Sequence, residues 1–168
     1  MSLPLILQHT KGEKEQELLD LEYALQKAKE KYAIEGVITG AVFSTYQRDR
    51  IEKICDALGL KIFSPLWHKP QEQEMQELLD NNFQFVFSSI AAEGLDKSWL
   101  NKVITHIDIE KLKKLHGLNV AGEGGEFESL VLDCPMFKKR LIIEEAEIQE
   151  DAKHTARLII KKARLEEK

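Results

Sequence analysis

A chain of 168 residues with 43% hydrophobic content can form one moderate domain or two small ones, and it is apolar enough to exclude wholesale disorder. A formal net charge of -5 and a pI of about 5.6 weigh against a broad nucleic-acid-binding face. Cys55 and Cys134 stand too far apart for a metal spacing or a disulfide framework, which suits a reducing cytoplasm, and no apolar run reaches transmembrane length.

Leu3 to Leu7 is a short apolar piece that holds Pro4, at best an edge strand. Residues 13–32 read as a long helix, with Leu18, Leu21, Leu25, Ala28 and Tyr32 in one stripe against a charged remainder. Residues 34–43 then read as a nearly continuous apolar strand, the pattern of a sheet buried on both faces. Ser44 follows as an N-cap, and Gln47 three residues later completes a capping-box pattern. That helix turns Ile51, Ile54, Cys55 and Leu58 inward and stops at Gly59. Residues 60–66 form the next strand, Pro70 opens a helix to about Asn81, and residues 83–90 form a third strand. The alternation predicts parallel strands joined by right-handed crossovers.

After Ala91 the texture changes. Asp96 and Asp108 read as helix N-caps and Gly117 as a helix stop. Residues 118–121, 127–132, 140–149 and 156–165 are strand-like, an α+β half with antiparallel pairing. The expected division is 1–95 for a nucleotide-binding α/β part and 96–168 for a smaller α+β part.

Two stretches can carry chemistry. In open α/β sheets, ligands bind beyond the carboxyl ends of the strands. Thr39-Gly40-Ala41 lies there, and Ser44 starts a helix whose N-terminal amides and dipole favour a phosphate. Arg48 and Arg50 can add charge-assisted contacts to the same anion. A plain capped helix with surface arginines explains the same letters. The second stretch, Gly122-Glu123-Gly124-Gly125-Glu126-Phe127-Glu128-Ser129, crowds three carboxylates and three glycines into eight residues. Glycines there let backbone N–H groups approach a ligand, and Glu123, Glu126 and Glu128 can hold a cation, orient an amine or accept a proton. In extended backbone Glu126 and Glu128 share one face. A glycine hairpin leading into a half-exposed strand is the plainer alternative.

Trp67 and His68 end the second strand, and Glu93 and Gly94 follow the third; each is as readily packing or turn as cleft. His9, His106, His116 and His154 show no ligand spacing, so a zinc site is not expected. Neither a Walker A pattern nor a Ser-Gly-Gly-x-Asp-Ser loop occurs in the chain.

The run from Thr39 to Arg50, Pro65-Leu66-Trp67, the segment 93–100 and the acidic glycine stretch continuing into Leu130-Val131-Leu132-Asp133-Cys134-Pro135 occur here in one order. Together they resemble the diphthine–ammonia ligase family, a branch of the N-type ATP pyrophosphatases, over nearly the whole chain. The resemblance implies a Rossmann-like parallel sheet with helices on both faces, here truncated, followed by a smaller α+β domain. It implies an ATP- and Mg²⁺-dependent reaction in which the carboxylate of diphthine on elongation factor 2 is adenylated and ammonia then displaces AMP. Carried onto this sequence, Thr39, Gly40 and Ala41 border the nucleotide, and Ser44, Gln47, Arg48 and Arg50 surround phosphate or the acyl-adenylate. Glu123, Glu126 and Glu128, with Gly124 and Gly125, face substrate or ammonia. The family's pyrophosphate loop belongs before residue 1, so the chain resembles a C-terminal part, and a half-built sheet with open apolar faces predicts a homo-oligomer. The implied partners are elongation factor 2 and ammonia in the cytoplasm, with neither nucleic acid nor membrane. A non-catalytic binding module of the same fold, or a pyrophosphatase relative acting on another carboxylate, is the competing reading.

Overall fold

The computed structural model describes residues 1, 3–13, 16–40 and 45–168, and it divides into two compact units that meet between Lys69 and Pro70. The expected division at residue 95 is therefore corrected: the segment 70–95 folds with the second unit.

The first unit holds α1 (Gln16–Tyr32), β1 (Gly36–Ile38), α2 (Thr45–Ala57) and β2 (Lys61–Phe63). β1 and β2 pair in parallel, with Gly36 opposite Lys61 and Ile38 opposite Phe63. Thr39 extends the ladder by donating its N–H to the Phe63 carbonyl at 2.9 Å. Gly36 is required at the entrance, because a Cβ there would lie 2.7 Å from the Lys61 carbonyl oxygen. α2 buries Ile54 and Cys55, as its periodicity predicts, and Gly59 follows it at φ +64°. α1 sets Leu18, Leu21, Leu25 and Ala28 half-buried, while Tyr32 is exposed and no residue of the helix is fully buried. The expected burial of β1 on both faces is not found: Ile38 is 76% exposed and its neighbour Phe63 is 63% exposed. These two apolar side chains lie side by side on one face of the two-stranded sheet, where both are exposed among the described residues. The last part of the expected strand, with Ala41 and the Ser44 cap, lies outside the described residues, as does the Gln47 side chain.

The second unit begins with α3 (Gln71–Asp80), for which Pro70 is the N-cap residue. It continues through β3 (Gln84–Ala91), a 3-10 turn (Lys97–Trp99), α4 (His106–Leu112), β4 (Phe127–Asp133), β5 (Lys139–Ala152) and β6 (Thr155–Glu167). The four strands form one sheet in the order β4-β3-β6-β5, antiparallel throughout. β3 was expected as the third parallel strand; it is instead the buried strand of this antiparallel sheet. A run such as Phe85-Val86-Phe87 fits any strand covered on both faces, so its letters do not reveal the direction of its neighbours. β6 accompanies β3 only over Ser89–Ala91. Farther along, the segment 100–104 takes over that edge, with Asn101 and Ile104 donating N–H groups to the carbonyls of Phe87 and Phe85 at 3.3 and 3.0 Å. The core gathers Phe87, Ile90, Leu95, Ile104, Ile109 and Leu112, all essentially without solvent access.

Asp96 caps the 3-10 turn as expected, its carboxylate accepting from the Ser98 N–H at 2.8 Å. Asp108 is not the N-cap of α4. Thr105 is, and Asp108 closes a capping box by accepting from the Thr105 N–H at 3.1 Å and its hydroxyl at 2.8 Å. Gly117 stands beyond the end of α4, in a turn at φ +74°. Burial is the largest influence on the Asp108 carboxyl and pushes its pKa up, but hydrogen bonds from Lys102 and Thr105 and the Lys102 charge together hold it below the usual carboxylate range. A depressed folded-state pKa stabilises above the unfolded value of about 4 and loses that stability as pH falls through the folded one. Asp108→Asn is therefore expected to be less stable than the parent at neutral pH, with the gap in urea midpoints closing below about pH 4. A gap that stays constant down to pH 2 would refute the assignment.

Candidate functional site

In the first unit the carboxyl end of β2 borders a small pocket of about 230 Å³ lined by Arg48, Ile62, Phe63, Ser64 and Trp67. Such ends are where open α/β sheets bind ligands. Thr39, only 8% exposed, shares a hydrogen bond between its hydroxyl and that of Ser64, 2.9 Å apart. Arg48 projects from the first turn of α2. Its guanidinium carbon lies 4.8 Å from the centre of the Trp67 ring, and its Nε is 3.9 Å from a Glu52 oxygen one turn along the helix. A planar cation stacked on an indole keeps its N–H edges free for an anion while losing little side-chain freedom on binding. Arg50 stacks on Tyr46, 3.5 Å from the ring centre. Gly40 is exposed, and a Cβ there would meet nothing within 4 Å.

Of the expected nucleotide residues, Thr39 and Arg48 are thus tied to the strand ends: Thr39 through Ser64, and Arg48 through the pocket it shares with Ser64 and Trp67. Arg50 is held by Tyr46. Ser64 escaped the sequence reading. The available signal was its position directly after β2, opposite Thr39 after β1. Trp67 is better placed than its letters imply, because the turn that starts with the Trp67 N–H bond to the Ser64 carbonyl at 3.1 Å brings the ring back over α2.

In the second unit the acidic glycine stretch spans the end of the loop between α4 and β4 and the first residues of β4, where Glu128 lies. The expected strand over residues 118–121 is instead turn. The Asn119 side chain accepts the Ala121 N–H at 3.0 Å, and its carbonyl accepts the Gly122 N–H at 3.0 Å, so a local hydrogen bond competes with the ladder and wins. Phe127 turns into the core and stacks on Phe87, ring centres 3.9 Å apart. Glu128 opposes Ser89 across the ladder and is exposed, as is Glu123 at the loop. Glu126 is half-buried, and its carboxylate accepts the N–H groups of Asn119 at 3.0 Å and Gly124 at 2.8 Å. The glycine amides do not point outward as expected: Gly122 and Gly125 donate within the loop and Gly124 to Glu126. The loop thus offers carboxylates, a surface for a cation or an amine rather than for phosphate. Among the described residues no three His, Cys, Asp or Glu side chains converge as they would around a metal ion. Among the described residues no helix is long and apolar enough to cross a membrane.

Residues 1–62 match the family model described as the diphthamide synthase N-terminal domain, and residues 70–165 match that of the diphthamide synthase C-terminal domain. Relatives named diphthine–ammonia ligase include one from Bos taurus, 40% identical over 135 residues, covering 79% of this chain and 51% of that protein. The relative of that name from Homo sapiens is 39% identical over 135 residues, with the same 79% and 51% coverage. The Saccharomyces cerevisiae relative is 32% identical, covering 90% of this chain and 25% of its own length. The chain spans about half the length of the mammalian relatives it matches.

Proposed function

The chain belongs to the diphthamide synthase family, and from that premise we propose that it serves an ATP-dependent amide ligase that converts diphthine on elongation factor 2 to diphthamide with ammonia, in the cytoplasm. The observation that carries this reading is the Arg48–Trp67 pocket at the carboxyl end of β2, with the Thr39 and Ser64 hydroxyls beside it. These groups fit a nucleotide: a stacked guanidinium for phosphate oxygens, two hydroxyls for hydrogen bonds, and an indole edge for an apolar base or sugar face. Gly40 leaves room for close approach, while Ala41, Ser44 and Gln47 complete the set by position in the sequence. Mg²⁺ would arrive with the triphosphate, which suits its habit of binding through phosphates and few carboxylates.

In the reaction a substrate carboxylate oxygen attacks the α-phosphorus, pyrophosphate leaves, and the acyl carbon becomes open to attack. Arg48 stabilises the charge on the phosphorus-bound oxygens as it develops. Ammonia then forms the C–N bond, AMP departs, and the proton shed by the nitrogen needs a carboxylate base, the role that the family resemblance gives to Glu123, Glu126 and Glu128. The substrate is the elongation factor, and a second copy of the chain would cover Ile38 and Phe63. The deciding experiment measures AMP and pyrophosphate release by this chain and by the full-length protein, with and without unamidated elongation factor 2 and ammonium. Release that needs both is expected, from a species that sediments above monomer mass. Release indifferent to the elongation factor, or none at all, overturns the ligase reading, and a monomer at high concentration overturns the pairing.

A further inference from the structure

The three carboxylates of the acidic loop are not equivalent. The backbone of Glu126 is fixed to the sheet, its carbonyl accepting the Ala91 N–H at 2.8 Å. Its side chain then reaches back across the loop, one oxygen taking the Asn119 N–H at 3.0 Å and the other the Gly124 N–H at 2.8 Å. The loop is shaped around that reach. A Cβ on Gly124 would lie 2.6 and 2.9 Å from the two carboxylate oxygens, so the glycine is absent of side chain where the carboxylate must sit. Gly122 and Gly125 complete the turn at φ +78° and +84°, a region glycine enters without strain. Glu123 and Glu128, on either side, are exposed.

We propose that Glu126 is a positioning residue, a latch that sets the loop from Asn119 to Gly125, and that the proton from the attacking amine goes to Glu123 or Glu128. Each Glu126 oxygen already accepts one backbone N–H and the side chain is half-buried, so swinging the carboxylate toward an amine would release the loop amides that it holds, whereas Glu123 and Glu128 are exposed and hold none of these amides. The role in the reaction rests on the ligase reading above; the latch itself does not.

The test has two arms. Amide hydrogen exchange at residues 119 and 124 is measured in this chain for the parent, Glu126→Ala, Gly124→Ala and Glu123→Gln. Glu126→Ala should speed both amides by about tenfold or more, the loss of one hydrogen bond at each. Gly124→Ala should do the same with every carboxylate still present, because its methyl group expels the Glu126 head, and Glu123→Gln should change neither. Unaltered exchange in Glu126→Ala and Gly124→Ala overturns the latch. The second arm is the pH profile of ammonia-dependent AMP release by the full-length protein carrying Glu123→Gln, Glu126→Gln or Glu128→Gln. A glutamine at 126 still offers one acceptor, so kcat should fall while the acidic limb of the profile persists; the limb should vanish with Glu123→Gln or Glu128→Gln. A limb lost only with Glu126→Gln overturns the division of roles. Absence of AMP release from the parent removes the ligase reading, and the exchange arm still decides the latch.

Discussion

Phe127→Ala is expected to destabilise the Pro70–Lys168 unit by about 3–5 kcal/mol, as a large-to-small change at a packed aromatic does. The ring is 6% exposed and stacks on Phe87 with an interplanar angle of 18°, and Phe87 in turn faces Trp99 with ring centres 6.2 Å apart. Its space is reserved from the other side as well, since a Cβ on Gly122 would come within 2.8 Å of the Phe127 ring. Such a cavity has no small neighbour ready to fill it. For a domain whose whole stability is about 5–15 kcal/mol, the urea midpoint should drop by about a fifth or more. Because Phe127 sits between Glu126 and Glu128, its loss also unpins the start of β4, so function should fail with stability. Phe127→Leu should recover much of the loss. An unchanged midpoint for the alanine variant would mean that the three-ring stack does not hold the unit together.

Arg48→Ala is expected to raise the ATP concentration needed for half-maximal AMP release by about 10- to 100-fold, the loss of one or two charge-assisted hydrogen bonds. Stability should barely respond. The Arg48–Glu52 pair is long at 3.9 Å and lies on a partly exposed helix face, where such pairs contribute at most a few tenths of a kcal/mol. Trp67→Ala, which keeps the arginine but removes the surface it stacks on, should give a smaller rise of about 3- to 10-fold. Arg48→Lys should not restore the parent value, because an ammonium neither stacks in the same way nor offers a planar fork. Equal ATP dependence in the parent and Arg48→Ala would remove the pocket from the nucleotide site.

The helices α1, α2 and α3 were legible because each sets an apolar stripe against charge over several turns, and local periodicity suffices for that. Arg48 could be placed on the helix after the first strand for the same reason. The direction of β3 was not legible: a strand covered on both faces reads alike in either sheet, and its antiparallel partners β4 and β6 lie far downstream. The loop was legible as acidic and glycine-rich but not in its wiring. Whether a glycine amide faces a ligand or a neighbouring carboxylate depends on Asn119 and Glu126 meeting across seven residues, which no local pattern encodes. Ser64 was missed because a lone serine after a short strand carries no signal until Thr39 is brought beside it.

Over Glu144–Asp151 the β5–β6 ribbon separates its charges by strand, whereas Lys139 and Arg140 at the start of β5 pair with Glu167 and Glu166 of β6. Glu144, Glu147 and Asp151 stand on β5 and answer Lys162, Lys161 and Arg157 on β6. β5 is the border of the sheet, and its middle and far portion, from Glu144 to Asp151, bears carboxylates of a single sign. A second molecule whose own Glu144–Asp151 segment met this one would set acid against acid, so this part of the border disfavours the growth that an open strand otherwise invites. Fibrous stacking through that segment is therefore opposed by like charge, most effectively in dilute salt.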